Sequence, residues 1–182
     1  MVGAALCVTA VVILGIVASG HRPLALDLPI ATWVADRGGE GFVFRVLTHL
    51  GATITVCVLG IAVGLFMFVR TRSPWPMVFV VGTIAGEIVL NNAVKGVVDR
   101  PRPTLSQIVT PVGSSFPSGH SAAAAAAYAA IVIVLASGRS PWVQRGMAIG
   151  AVTIAMVVAW SRVFLGVHWY SDVIARNGLR SE

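Results

Sequence analysis

Residues 76–95 read PMVFVVGTIAGEIVLNNAVK, an apolar run with one carboxylate, Glu87, closed by the chain's only lysine, Lys95. Its length matches the roughly 20 residues a helix needs to cross a bilayer. Pro74 and Pro76 at its head suit a helix start, where a missing N–H removes no hydrogen bond. The rest of the 182-residue chain has the same character: 57% hydrophobic, 11% charged, with a mean hydropathy of +0.87. A soluble domain carries about 25% charged residues. The solvent for this much apolar surface is lipid.

Further apolar runs lie at 2–19, 50–69, 120–137 and 142–160, and a sixth begins near Val167. That sixth run meets Arg176, Asn177 and Gly178 before it can cross. The expectation is an all-α integral membrane helical bundle, one domain over 1–182, with five full spans plus a truncated sixth helix. The 2–19 run is read as a retained helix, because no positive segment precedes it as in a leader. Segment 26–46 is either an interfacial helix, with Leu26, Ile30, Trp33 and Val34 on one face, or an ordinary loop.

The net charge is +6, but the arginines are scattered through loops, so no nucleic acid is expected as a partner. Arg70 and Arg72, Arg139 and Arg145, and Arg176 and Arg180 fall on one side of the membrane. The positive-inside rule makes that side, and the N-terminus, cytoplasmic. Lys95, Arg102, His120, Arg162, His168 and Asp172 then meet at the extracytoplasmic face. Cys7 and Cys57 sit in separate apolar runs and are read as packing residues without a disulfide.

Those converging residues carry the chemistry. Lys95 and Arg102 flank Gly96 to Pro101, and Pro101 and Pro103 stiffen the backbone that presents Arg102. An arginine fork grips two phosphoryl oxygens while lysine adds a point charge. Snorkelling to headgroups is the competing account. Arg100 is assigned to headgroups or to Asp99. In Pro117-Ser118-Gly119-His120, the bare Gly119 lets an anion approach helix-start N–H groups. Ser118 adds a hydroxyl, and His120 is placed to protonate a leaving oxygen. A plain helix cap is the alternative.

Ser161-Arg162 precedes His168 and Asp172, which lie four apart. On a helix, that spacing lets the carboxylate hydrogen-bond the imidazole and leaves Nε2 free to attack phosphorus. Arg162 would balance charge on the equatorial oxygens. The alternatives are a structural His–Asp pair and a metal site of His120, His168 and Asp172. Three neighbouring cations oppose a divalent ion there. Glu87 shares a helical face with Thr83, Asn91 and Lys95 and is read as support for the lysine. Trp169 and Tyr170 suit an aromatic belt at the interface.

Lys95–six residues–Arg102-Pro103, Pro117-Ser118-Gly119-His120 and Ser161-Arg162–five residues–His168–three residues–Asp172 resemble the type 2 phosphatidic acid phosphatase superfamily. That superfamily holds membrane lipid phosphatases, undecaprenyl-diphosphate and phosphatidylglycerophosphate phosphatases, and vanadium haloperoxidases. The motif region is 95–172. The resemblance implies a phosphohistidine at His168 supported by Asp172, with His120 as general acid and then base. Lys95, Arg102, Ser118, Gly119 and Arg162 would bind the phosphoryl group. No metal and no cofactor are implied, and vanadate should act as a transition-state mimic.

The expected function is hydrolysis of a membrane lipid phosphate or diphosphate ester at the outer face. The expected partners are that lipid and the bilayer; the sequence sets no oligomeric state. The alternatives are a phosphotransferase of the same superfamily, or a catalytically impaired lipid-binding membrane protein.

Overall fold

Pro74 and Pro76 start a 24-residue helix in the computed structural model, which describes residues 23–36, 41–105, 108 and 113–173. In chain order the helices are α1 (Asp27–Ala35), α2 (Gly41–Thr48), α3 (Thr53–Thr71), α4 (Trp75–Val98), α5 (Gly119–Ala136), α6 (Pro141–Phe164) and α7 (Tyr170–Val173). A 3-10 turn at His49–Gly51 joins α2 to α3. Among the described residues there is no strand.

Helices α3 to α6 are long and apolar enough to cross a membrane, with mean hydropathies between 1.7 and 2.1. At about 1.5 Å per residue they reach roughly 27 to 36 Å, close to the thickness of a hydrocarbon core. The chain is a multi-pass membrane protein, all-helical over the described residues. These four helices lie where the runs at 50–69, 76–94, 120–137 and 142–160 were expected. The expected first span at 2–19 lies outside the described residues. So does everything after Val173, and the sixth helix is described only as the single turn α7.

Segment 26–46 folds as α1 and α2 around residues 37–40, not as an open loop. Its four apolar residues do not act alike: Val34 is buried, whereas Leu26 and Trp33 are exposed.

The four long helices alternate in direction. Short turns at Arg72–Pro74 and Ser137–Ser140 close one end, the second using Gly138 at φ +73, a conformation glycine adopts without strain. The other end gathers the start of α3, the end of α4, the start of α5 and the end of α6. All motif residues belong to that end. Helix α5 stands in the middle, against α3, α4 and α6. Its Ala123, Ala127 and Ala130 pack on Val56, Val80 and Ile84, and such small side chains let membrane helices approach closely. Large apolar residues such as Ile54, Phe66, Val89 and Ile149 face outward toward lipid.

Candidate active site

His168 follows the turn that leaves α6. Gly166, at φ +67, permits that turn, and Leu165, Val167 and Trp169 are buried on either side of the histidine. His168 is itself buried, with Nδ1 2.7 Å from the Ser115 carbonyl oxygen. A carbonyl oxygen only accepts, so Nδ1 carries the hydrogen and Nε2 keeps its lone pair. Nε2 stands 3.3 Å from Arg102 Nη1. Burial pushes the imidazole down to about 4; Asp172 opposes this shift, and Arg162 and Arg102 add to it.

Asp172 stands beside His168, as expected, but not at hydrogen-bond distance from it. Its nearest oxygen is 3.6 Å from Nδ1, beyond hydrogen-bond reach. The reason is local: His168 precedes α7, so it does not share a helical face with Asp172. The carboxylate instead accepts the Trp169 N–H through Oδ2, at 2.9 Å, and the Arg100 guanidinium through Oδ1. Among the described residues, no three His, Cys, Asp or Glu side chains are grouped to hold a metal ion.

Arg100 corrects the sequence reading more sharply. It is 2% exposed, sealed inside the protein, and it pairs with Asp27 and Asp172 rather than with Asp99. Asp99 is exposed and caps α4 in a left-handed conformation, so its side chain is directed elsewhere. Trp169 belongs to no aromatic belt: it is 8% exposed, and its Nε1 donates to the Pro101 carbonyl at 2.9 Å.

The cations gather around the histidine. Arg102 donates Nε to Gly113 O at 2.8 Å, Nη1 to Val167 O at 2.7 Å and Nη2 to Ser114 O at 3.1 Å. The guanidinium thereby ties the segment before α5 to the segment carrying His168. Burial lowers its affinity for a proton, and Asp172 opposes that. Arg162 donates Nη1 to Thr48 Oγ1 at 3.0 Å. Its Nε is buried and meets no hydrogen-bond partner among the described residues.

Lys95, Arg102 and Arg162 lie within electrostatic reach of one another. With three like charges crowded together, a dianion is favoured between them. His120 is within the same reach of Arg162, His168 and Lys95.

Ser118 occupies the N-cap position of α5 with extended backbone, but its side chain makes no capping bond. Its Oγ accepts from Ser121 Oγ at 2.9 Å, so the plain cap is not what the serine provides. The first N–H groups of α5 therefore keep their hydrogen-bonding capacity. A Cβ at Gly119 would stand 3.7 Å from Lys95 Nζ and 3.5 Å from Asn91 Oδ1. The lysine thus lies directly against the start of α5. A cavity of about 360 Å³ opens here, lined by Thr53, Glu87, Asn91, Lys95, Gly119 and His120. A second, of about 330 Å³ and mostly apolar, lies between α4, α5 and α7, with Leu90, Val94, Phe116, Ala122 and Val173 in its wall.

Four residues at this site were not expected there: Asp27, Thr48, Arg100 and Ser115. Ser115 acts through its backbone carbonyl, which leaves no signature in a side chain. Thr48 lies 114 residues from the arginine it touches. The one available signal was the doubled Arg-Pro of Arg100-Pro101-Arg102-Pro103, in which either arginine fits a phosphate motif.

The chain is similar to known proteins in sequence and in fold. The sequence pattern described as the PAP2 superfamily matches residues 75–175. The chain is 35% identical over 133 residues to phosphatidylglycerophosphatase B of Bacillus subtilis (strain 168), an alignment covering 70% of this chain and 64% of that relative. It therefore spans a little under two thirds of that protein's length. In structure it is similar to the transmembrane PAP2-type phosphatidylglycerolphosphate phosphatase of Bacillus subtilis, with a TM-score of 0.79 and 28% identity. That match covers 92% of this chain and 87% of the other. Aquifex aeolicus LpxE shares the fold, with a TM-score of 0.60 and 23% identity over 84% of this chain and 90% of the other. The chain belongs to the PAP2 superfamily.

Proposed function

We propose that this chain, acting as one membrane-embedded domain, hydrolyses a lipid phosphate or diphosphate ester at the extracytoplasmic face. The observation that carries the reading is the state of His168. Its Nδ1–H is engaged by the Ser115 carbonyl, and its Nε2 lone pair stands beside the Arg102 guanidinium. That is the form of imidazole that attacks phosphorus.

Nε2 forms a bond to phosphorus as the ester P–O bond breaks. His120, in its protonated form, gives its proton to the departing oxygen. Lys95, Arg102, Arg162 and the N–H groups at Gly119, with the Ser118 hydroxyl, hold the phosphoryl oxygens. In the second half, His120 takes a proton from water as the water oxygen bonds to phosphorus. The P–N bond breaks and orthophosphate leaves. Neither half requires a metal.

The relatives' names support a phosphatidylglycerophosphate-like substrate, whose terminal phosphate monoester suits a site with three cations. The apolar cavity between α4, α5 and α7 favours a lipid tail reaching the site from the bilayer. The arginines at the opposite ends of the helices support this side of the membrane.

The test is phosphate release by the purified chain in detergent with EDTA present. Phosphatidylglycerophosphate, phosphatidic acid and a polyprenyl diphosphate are compared, with His168→Ala alongside. Release that survives EDTA and vanishes in the variant is expected. Release that depends on a divalent ion, or persists without His168, overturns the mechanism. A phosphorylated acceptor without free phosphate would make the chain a transferase.

A further inference from the structure

The Arg100 guanidinium stands between the carboxylates of Asp27 and Asp172, and all three side chains are buried. Nη1 donates to Ser171 Oγ at 2.8 Å and to Asp172 Oδ1; Nη2 donates to Asp27 Oδ2 at 2.7 Å. Asp27 adds contacts of its own. Its Oδ1 accepts the Ser171 N–H at 2.9 Å, and its Oδ2 accepts the Ser171 hydroxyl at 2.8 Å. The first turn of α7 is therefore held from α1, at the far end of the sequence.

The backbone of Arg100 does a second job. Its N–H donates to Ser114 Oγ at 3.0 Å, and its carbonyl accepts the Ser115 N–H at 2.8 Å. Ser115 is the residue whose carbonyl holds His168 Nδ1. Arg100 thus contacts both supports of the histidine: the 114–115 segment on one side and the 171–172 turn on the other. Taking such charges out of water is costly, so a buried ion triad adds little net stability over an apolar core. What it does supply is fixed geometry.

We propose that Asp27 and Arg100 are positioning residues that set the attack geometry of His168 through Ser115 and the first turn of α7. This rests on the reading of His168 as the nucleophile. Neither side chain is placed among the phosphoryl contacts, so their loss should act on turnover rather than on anion binding. A misplacement of about 1 Å can cost on the order of 100-fold in rate.

The experiment uses the full chain in detergent. Asp27→Asn keeps an acceptor for the Ser171 N–H and leaves Arg100 paired with Asp172 alone. Ser171→Ala removes one hydroxyl from the network and no charge. For each, kcat, KM and the affinity for inorganic phosphate are measured, and the His168 imidazole is followed by nitrogen NMR, assigned by its loss in His168→Ala.

The expected result for Asp27→Asn is a fall in kcat of about tenfold or more, with KM and phosphate affinity within about twofold. The His168 resonances shift while those of His120 stay. Ser171→Ala shows the same pattern, more weakly, and decides the matter if Asp27→Asn does not fold. Unchanged kcat with unshifted His168 resonances overturns the inference. So does a parallel loss of phosphate affinity, which would mean the whole site had collapsed. A wild-type chain silent on every lipid phosphate sinks the proposed function instead, and the His168 resonances still report whether Asp27 reaches the imidazole.

Discussion

The Ser115 carbonyl oxygen lies 2.7 Å from His168 Nδ1, and the nearest Asp172 oxygen lies 3.6 Å from the same atom. In serine-protease triads a carboxylate fixes the tautomer, and its replacement by an amide costs about 10⁴ in kcat because the imidazole is then held in the wrong tautomer. Here the carbonyl already fixes it. Asp172→Asn should therefore cost clearly less than about 10⁴ in kcat, whereas His168→Ala should reduce turnover to background. The two kcat values decide the point. Equal losses would return the orienting role to the carboxylate.

Arg102 makes hydrogen bonds to the carbonyls of Gly113, Ser114 and Val167 while also facing His168 Nε2. A lysine cannot reproduce that fork. Arg102→Lys should lose on the order of 100-fold in kcat/KM despite keeping the charge, as when one preorganised donor is removed from an anionic transition state. A loss under about tenfold would mean that charge alone suffices.

His168 titrates near 4, below its ordinary value of about 6.5. The unfolded chain therefore binds this proton at a higher pH than the folded one. Its contribution to stability is complete above about 6.5 and is lost as the pH falls toward 4. Neutral imidazole is also the nucleophilic form, so the nucleophile's acid limb should lie below about pH 6. The check is an imidazole NMR titration, with His168 assigned by difference against His168→Ala. A midpoint at or above about 6.5 would show that Asp172, not burial, governs this group.

Much of this architecture was legible in the sequence because membrane spans are written in uninterrupted apolar length. Four described helices answer to four of the expected runs. The residues that touch one another across the chain were harder to read. Arg100 and Arg102 are both arginines beside prolines. Only the fold reveals that one is sealed between Asp27 and Asp172 while the other faces His168. Nothing in the sequence announces that Asp27 reaches Ser171, because a contact across 144 residues leaves no local pattern. The expected His168–Asp172 hydrogen bond is stretched to a 3.6 Å contact for a related reason: helical spacing predicts a shared face only where both residues are in the helix.

Gly51 ends the turn before α3 and is buried against the start of α5. A Cβ there would come within 2.5 Å of both the His120 carbonyl oxygen and Val158 Cγ1. Valine can rotate away, but the backbone at His120 can yield only if the start of α5 moves, taking His120 and the Gly119 N–H groups with it. Gly51→Ala should therefore lower kcat/KM by about tenfold or more and lower the melting temperature as well, as overpacking does at a cost of about 1–3 kcal/mol. Gly86→Ala is the control: a Cβ at Gly86 meets nothing within 4 Å. That substitution should leave turnover unchanged, since the added methyl points into open space. If Gly51→Ala turns over normally, the contact between the 49–51 turn and α5 does not set the position of His120.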